Sequence, residues 1–218
     1  GVFLQDSTIE FAPSAGQVQI INDTIADDFA NGGGGTVRKT GAGIVELNGI
    51  NTYGGQTEVL AGLLWVNGSA TTATFNVRGG RLGGTGQVGT TNVLSGGLLS
   101  PGNSIGLLTV NGDLNFSLGG GLEIEVNAAG GSDLIDVSGT ANLAGQLIIV
   151  PENGTDTGIT YGPYTRYEIL HAGTVQGTFS GIIEDFAFLD ARLDYLTDPT
   201  RVFLALFRTL DFDGVAVT

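Results

Sequence analysis

The sequence predicts an all-β protein, a right-handed parallel β-helix (solenoid) with a C-terminal β-hairpin cap. Glycine occurs 38 times in 218 residues, beside only five prolines and without a collagen-like period. No segment has the ~3.6-residue period of an amphipathic helix, whereas short alternating segments such as "GLEIEVN" predict strands. Several of these segments recur at spacings that fit a unit of ~20 residues, the scale of solenoid repeats. A β-sandwich or barrel is the alternative.

The recurring segments lie in the middle of the chain. "LLWVNG" at 63–68 recurs as "LLTVNG" at 107–112, "VLAGLL" at 59–64 is echoed by "VLSGGLL" at 93–99, and Asn48-Gly49 returns one such unit later as Asn67-Gly68. In a β-helix each coil contributes two or three short strands, and successive coils pair in parallel at ~4.8 Å. Inward Leu, Ile and Val then stack on one another, and Gly and Asn occupy the corners, where the backbone needs positive φ. About ten coils are expected.

The carboxy-terminal part has a different composition. From Ile182 onward there is one glycine, Gly214, but five of the eleven phenylalanines of the chain. "FAFLDARLDY", "TDPT" and "RVFLALFR" predict two strands joined by a proline-containing turn, with Arg201 and Arg208 bracketing the second strand. A solenoid needs an element that covers its last core layer and its open strand edge. We expect this hairpin to be that cap.

Charge and composition exclude several classes of function. The net charge is −14 and the chain has a single lysine, Lys39. This argues against binding to nucleic acid or to an anionic membrane surface. The absence of Cys excludes disulfides. The lack of Met even at position 1 predicts a fragment of a longer protein, and no apolar run is long enough to predict membrane insertion.

Two glycine-rich motifs suggest ligand sites but fit corners better. Gly84, Gly86 and Gly89 in "GTGQVG" match a dinucleotide-binding pattern, yet no helix is predicted after them. We therefore interpret these glycines as tight solenoid corners. Asp133 and Asp136 in "GGSDLIDV" form one degenerate copy of a calcium-binding repeat. A weak calcium site is one interpretation, and an Asp that bonds its own corner backbone is the favoured one.

The remaining chemical candidates are weak. Glu123 and Glu125 could be the carboxylate pair of a glycosidase, but two glutamates alternating on a strand usually form a solvated face. The sole histidine, His171, lacks a GxSxG nucleophile motif in the chain. Trp65 and Tyr53 could form a sugar-stacking patch, although packing of Trp65 among its apolar neighbours is favoured. We predict no enzyme activity, and no catalytic, cofactor-binding or metal site.

The quoted segments also resemble a known family. "KTGAGIVELNGINTYGGQTEVLAGLLWVNG" (39–68) resembles the passenger-associated repeat of Gram-negative autotransporters, the proteins of type V secretion. Later segments resemble the parts of a passenger that follow this repeat: "LSPGNSIGLLTVNGDL", "GLEIEVNAAGGSDLIDVSGTANLAGQLIIVP", "YTRYEILHAGTVQGTFSG" and "FAFLDARLDYLTDPTRVFLAL". The resemblance spans residues 36–208.

The resemblance implies an organisation and a location. Residues 1–114 are expected to be the β-helix stem of the passenger, residues 115–210 a C-terminal β-helix with an autochaperone cap, and residues 211–218 the start of a linker to a translocator barrel that this chain lacks. The family is exported through the periplasm to the cell surface or the extracellular medium. The translocator is therefore an expected partner, and any effector module is expected before Gly1.

These inferences lead to a structural function. We expect a stem, part of an adhesin or virulence factor, that displays an N-terminal module and whose cap nucleates folding of the passenger during secretion. The residues predicted to form the folding nucleus are Phe186, Phe188, Leu193, Tyr195, Phe203 and Leu206. Direct adhesion to a host surface or matrix, or self-association through the β-helix flank, is the alternative. A polysaccharide-cleaving enzyme is a weaker one.

Overall fold

The computed structural model describes residues 1–28, 34–152, 154 and 156–208. The predicted linker, 211–218, lies outside this part. The described residues form strands and no helix. In chain order the strands are β1 (Val2–Leu4), β2 (Thr8–Phe11), β3 (Val18–Ile21), β4 (Ile25–Asp27), β5 (Thr36–Lys39), β6 (Ile44–Leu47), β7 (Gln56–Val59), β8 (Leu63–Val66), β9 (Ser69–Ala70), β10 (Thr74–Val77), β11 (Arg81–Gly84), β12 (Gln87–Val88), β13 (Thr91–Val93), β14 (Leu98–Pro101), β15 (Leu107–Val110), β16 (Leu114–Phe116), β17 (Gly121–Val126), β18 (Leu134–Leu143), β19 (Gln146–Pro151), β20 (Tyr164–Gly177), β21 (Gly181–Ile183), β22 (Leu189–Asp194) and β23 (Arg201–Arg208).

The chain visits three stacks of parallel strands in turn. The first stack runs β2-β5-β7-β10-β13-β16 and ends on β18, the second runs β3-β6-β8-β11-β14-β17-β19-β21, and the third runs β9-β12-β15 and also ends on β18. Strand β18 is long enough to join both stacks, because it pairs with β15 through Leu134–Val137 and with β16 through Ala141 and Asn142. Apart from the carboxy-terminal hairpin, all pairs between these named strands are parallel. The predicted all-β fold of stacked parallel coils is confirmed.

The coils differ in length. Asn76 of β10 pairs with Asn92 of β13, 16 residues later, and Arg38 of β5 pairs with Glu58 of β7, 20 residues later. The coil between β18 and β20 is much longer, because Asp136 pairs with His171, 35 residues later. The strand registers therefore show a repeat of ~20 residues in which some coils are lengthened.

One sequence repeat does not correspond to a structural repeat. Val59 pairs with Val77, which pairs with Val93, so "VLAGLL" and "VLSGGLL" occupy equivalent places two coils apart. Leu63 of "LLWVNG", however, lies in the second stack, whereas Leu107 of "LLTVNG" lies in the third. The two segments look alike because every inward strand of a solenoid needs the same alternation, whichever stack it joins.

Inward aliphatic side chains form columns through the coils. In the second stack Leu64, Leu82, Leu99, Leu122 and Leu147 are paired in consecutive strands and are all fully buried. They belong to one core cluster with buried residues of the other two stacks. Burying a leucine contributes roughly 1.5–3 kcal/mol, so each added coil is stabilised chiefly by the coil before it.

Glycines allow the coils to approach at the corners. A Cβ on Gly68 would lie 2.1 Å from the carbonyl oxygen of Gly49, and a Cβ on Gly86 would lie 2.1 Å from that of Gly68. Gly84, with φ 107°, and Gly89 are similarly crowded by backbone. The glycines of "GTGQVG" therefore occupy tight corners, as predicted.

One core column contains a lysine. Lys39 is fully buried and is paired between Phe11 of β2 and Val59 of β7. Its ammonium group donates to the carbonyl oxygen of Ala61 at 2.9 Å and to that of Gly41. Burial lowers the pKa of Lys39. The sequence alone does not reveal this placement, since Lys39 stands between Arg38 and Thr40 and lysine is almost never fully buried.

Candidate functional site

The carboxy-terminal hairpin closes two of the three stacks. Strand β23 pairs antiparallel with β20 on one side and with β22 on the other. The turn between β22 and β23 continues this cover, because the N–H of Ala172 donates to Thr200 O at 2.8 Å and that of Val175 to Pro199 O at 3.3 Å. The second stack ends on β21, which pairs with β19. The predicted hairpin cap is confirmed.

The six residues of the predicted nucleus have different environments. Leu206 and Phe186 are buried in the core cluster, and Leu193 and Tyr195 pack against that cluster while half-buried. Phe188 is also half-buried. Phe203 lies on the opposite face of β23 from Leu206, and the guanidinium carbon of Arg166 is 3.6 Å from its ring centroid. The structure therefore does not place Phe203 in the core with the buried members.

Three tyrosine hydroxyls bond backbone at the capped end of the solenoid, and two of them, on the loop before β20 and on β20 itself, are not among the predicted nucleus residues. Tyr161 donates its hydroxyl to Val126 O at 3.0 Å, and Tyr167 donates to Asn127 O at 2.8 Å. Tyr195, a member of the predicted nucleus, accepts the N–H of Phe179 at 3.0 Å. Burial raises the pKa of each of these tyrosines, that of Tyr167 to about 12. Each ring is thus largely buried while its hydroxyl satisfies a backbone group.

Ring contacts connect the cap to the coils beneath it. Phe179 meets Phe116 of β16 edge-on at 5.5 Å between centroids, and Tyr161 meets Phe186 in the same way at 5.4 Å. Such pairs contribute roughly 0.5–1.5 kcal/mol beyond the burial of their area. A signal was present in the sequence, since aromatic residues are frequent from position 161 onward.

Ion pairs lie on the outer surface of the cap. Arg201 pairs with Glu168 at 2.7 Å and with Asp198 at 3.4 Å, and Arg166 pairs with Asp194 at 3.0 Å. These side chains are about one-third exposed, so each pair contributes little, roughly 0–1 kcal/mol. Arg208 instead donates to carbonyl oxygens of the loop that precedes β20.

The two aspartates of the suggested calcium motif do not converge. Both oxygens of Asp133 accept backbone N–H groups, from Gly106 at 2.8 Å and from Glu125 at 2.7 Å. Asp133 is fully buried, and burial raises its pKa to about 7 although the two N–H groups act in the opposite direction. Asp136 is outward and pairs with His171 Nδ1 at 2.8 Å. Asp133 therefore bonds backbone, as expected, but the backbone of Gly106 and Glu125 and not that of its own corner, which corrects the favoured interpretation.

The other residues considered as candidates for catalysis or sugar binding do not come together in one site either. Glu123 is held by both terminal nitrogens of Arg81 and accepts the Ser100 hydroxyl at 3.0 Å. Tyr53 is fully buried and shares a 2.6 Å hydrogen bond with Thr57. Trp65 is an outward, half-buried residue of β8. The suggested patch of Trp65 with Tyr53 is therefore wrong, because one ring is enclosed in the core and the other faces outward.

Comparison with known proteins relates the chain to secreted bacterial proteins. No family model matches it. It is 33% identical over 203 residues to an extracellular serine protease of Serratia marcescens, a match that covers 90% of this chain and 19% of that protein. A second extracellular serine protease of that organism is 29% identical over 206 residues, with the same coverage. The adhesin BmaC autotransporter of Brucella suis is 38% identical over 192 residues, 79% of this chain and 5% of the adhesin. The chain is related to autotransporter passengers.

The relationship confirms the expected location at the cell surface or outside the cell. The chain spans no more than about a fifth of the length of these relatives. Its match to both proteases and an adhesin indicates a segment that is shared by passengers of different activity. Within the described part of the chain, no helix is long and apolar enough to cross a membrane.

Proposed function

We propose that this segment is a non-catalytic passenger stem whose carboxy-terminal cap nucleates folding during secretion. The observation that carries the proposal is the cap itself, in which an antiparallel hairpin and three hydrogen-bonded tyrosines close the end of the solenoid. The similarity to proteins of different activity supports a shared structural role. In the whole protein, the expected partner is a carboxy-terminal translocator.

The physical reason is the cost of the first coil. A solenoid grows by adding coils to an existing one, so an isolated first coil must close its loop before it gains neighbour contacts. The β22–β23 hairpin starts from a short loop closure, because Asp194 pairs with Phe203 nine positions later, whereas even the shortest pairing between coils joins residues 16 positions apart and the longest joins residues 35 apart. A hairpin that also buries Leu206 and Leu204 supplies a template for β20. The rest of the chain can then stack on it coil by coil.

Two experiments test the nucleation role. Limited proteolysis in partial denaturant is expected to leave a carboxy-terminal core, and survival of an amino-terminal fragment instead would contradict the proposal. Deletion of residues 182–218 is expected to give a chain that aggregates or stays unfolded, and a normally melting monomer would count against the cap as nucleus. A matched control is deletion of residues 1–35, which removes a similar length from the other end and is expected to leave a cooperatively melting protein.

A second candidate function is direct adhesion through the outer face of the first stack. Amide side chains of successive coils form a ladder there, with Nδ2 of Asn92, Asn115 and Asn142 each donating to the residue of the preceding coil at 2.7–3.0 Å. Threonines lie beside this ladder, at Thr74 and Thr140. Binding of the purified chain to immobilised extracellular-matrix proteins, abolished by Asn92→Arg, would favour adhesion over a purely structural stem.

Catalysis is proposed to lie outside this segment. Among the described residues, His171 is hydrogen-bonded to Asp136 but to no serine or threonine hydroxyl that could serve as a nucleophile, and Glu123 is paired with Arg81. Turnover assays with casein and with acidic polysaccharides are expected to show no activity above background. Activity that is lost on His171→Ala or Glu123→Gln would refute the proposal.

A further inference from the structure

A half-open cavity of about 100 Å³ lies on the outer surface of the second stack. The outward side chains of β8, β11 and β14 form its floor, and the turn that follows β14 forms a wall. Its lining combines an aromatic ring with several polar groups of different type: Trp65, Arg81, Ser100, Asn103 and Glu125. No residue that carries the proposed folding role contributes to this cavity.

Trp65 supplies a ring surface at this cavity. Its coil neighbour on the outer face is Gly83, where an added Cβ would lie 3.2 Å from the indole Cδ1. Because Gly83 has no side chain, nothing from that position covers the ring. Among the described residues, none accepts a hydrogen bond from the indole N–H. A tryptophan that keeps its N–H unpaired has a donor available for a ligand.

Two of the polar groups beside the ring are hydrogen-bonded to a common carboxylate. Arg81 donates hydrogen bonds to both carboxylate oxygens of Glu123, and the Ser100 hydroxyl donates to one of them at 3.0 Å. A guanidinium has five N–H donors, so Arg81 retains donors beyond the two in this pair. The wall adds the exposed side chain of Asn103.

Glu125 provides an unsatisfied group at the same cavity. Its Oε2 is buried without a hydrogen-bond partner among the described residues. Buried polar atoms are rarely left unpaired in native proteins, so such an atom indicates a missing partner such as a ligand or a water molecule. Burial raises the pKa of Glu125, the neighbouring Glu123 and Glu152 raise it further, and the Arg81 guanidinium acts in the opposite direction. An anionic ligand would be repelled here, in a chain of net charge −14.

We propose that this cavity binds one ring of a neutral hexopyranoside. The ring carbons, with their outward C–H groups, suit the electron-rich face of Trp65. The hydroxyls suit the alternating donors and acceptors of Arg81, Asn103 and Glu125. An apolar ligand would leave those polar groups unpaired, and an acidic sugar would face Glu125. A half-open site of this size takes a single ring and leaves its other side in solvent.

Tryptophan fluorescence gives a direct test, since Trp65 is the only tryptophan of the chain. Methyl glycosides of glucose, galactose and mannose are titrated into the full chain. We expect a saturable change in emission with a Kd of about 1–10 mM, the range of one weakly bound ring. Glucuronic acid is expected to bind at least about tenfold more weakly, which corresponds to ~1.4 kcal/mol.

Variants assign the binding to this cavity. Asn103→Ala and Glu125→Gln are expected to weaken binding about threefold to tenfold without change in the melting curve, each losing one hydrogen bond. Asn111→Ala, outside the cavity, is the matched control and is expected to bind normally. Trp65→Phe, followed by saturation-transfer NMR on the sugar, is expected to reduce transfer strongly. A melting curve for each variant excludes loss of fold.

Two further binding experiments distinguish the source of such a sugar. Soluble oligosaccharides that end in the preferred hexose represent a host glycan, and purified lipopolysaccharide represents the bacterial surface. Tighter binding in one arm assigns the source, and either result supports the site. The absence of any saturable signal with the neutral glycosides would overturn the proposal and leave the unpaired Glu125 oxygen to water. Preferential binding of glucuronic acid, or equal loss in Asn111→Ala, would overturn it as well.

Discussion

The nucleation proposal predicts that two equivalent core truncations affect opposite steps of folding. Leu206 in the cap and Leu64 in the stem are both essentially fully buried, at 1% and 0% exposure. Replacing a buried leucine by alanine costs roughly 2–5 kcal/mol, and we take about 3 kcal/mol for both. Equilibrium stability therefore falls similarly in Leu206→Ala and Leu64→Ala. The kinetics separate them.

The magnitudes follow from how much of each contact exists in the folding transition state. If about 0.7 of the Leu206 interaction is formed there, Leu206→Ala slows folding about 30-fold and accelerates unfolding only about fivefold. If about 0.15 of the Leu64 interaction is formed, Leu64→Ala slows folding only about twofold and accelerates unfolding about 70-fold.

Stopped-flow refolding and unfolding in urea measure the folding rate and the unfolding rate. Trp65 emission reports the stem, and circular dichroism follows the strands of the whole chain, so both signals are recorded. The main kinetic phase is compared at equal final denaturant for the wild type and the two variants. The reasoning is refuted if Leu64→Ala slows folding as much as Leu206→Ala, because the nucleus would then not lie in the cap.

Three further predictions concern the stem and its junction with the cap. Burial raises the pKa of Asp133 to about 7, against 3.8 for the ordinary group. Between these two pH values the folded state therefore binds a proton that the unfolded state does not bind. The free energy of unfolding should rise by about 2–3 kcal/mol as the pH falls from about 8 to 5. Urea denaturation at several pH values should show this slope, flattened in Asp133→Asn, and an unchanged slope in the variant would argue against the assignment. Gly68→Ala should lower the free energy of unfolding by about 1–3 kcal/mol in thermal denaturation, because its Cβ would lie 2.1 Å from Gly49 O. Gly181→Ala, with open space at the Cβ, should be nearly neutral. Equal effects of the two substitutions would contradict close coil contact at the corner. Asn92→Ala removes two ladder hydrogen bonds, to Asn76 and from Asn115, and should lower the free energy of unfolding by about 1–2 kcal/mol in the same measurement. Asn103→Ala should change it by almost nothing. A neutral Asn92→Ala would mean that the ladder does not stabilise the stack.

Much of the cap was predictable and much of its detailed structure was not. The loss of glycine and the run of phenylalanines after Ile182 marked a non-repetitive element, and the proline turn marked its hairpin. The sequence could not distinguish Leu206 from Phe203, which lie on opposite faces of one strand. Which face points inward depends on the pairing of β23 with β20, and a shift of one residue would exchange them.

The sequence by itself determined that the chain is all-β, that it coils with a period near twenty residues, and that a hairpin ends it, because these follow from local alternation and from residues that tolerate tight corners. Only the tertiary structure decided which strands share a stack, as the placement of Leu63 and Leu107 in different stacks illustrates. It also decided that Lys39 is buried, that Asp133 bonds backbone on two coils, and that Trp65 faces outward beside Glu125. The physical reason is that coil length varies from 16 to 35 residues, so contacts between coils depend on registers that no local pattern specifies.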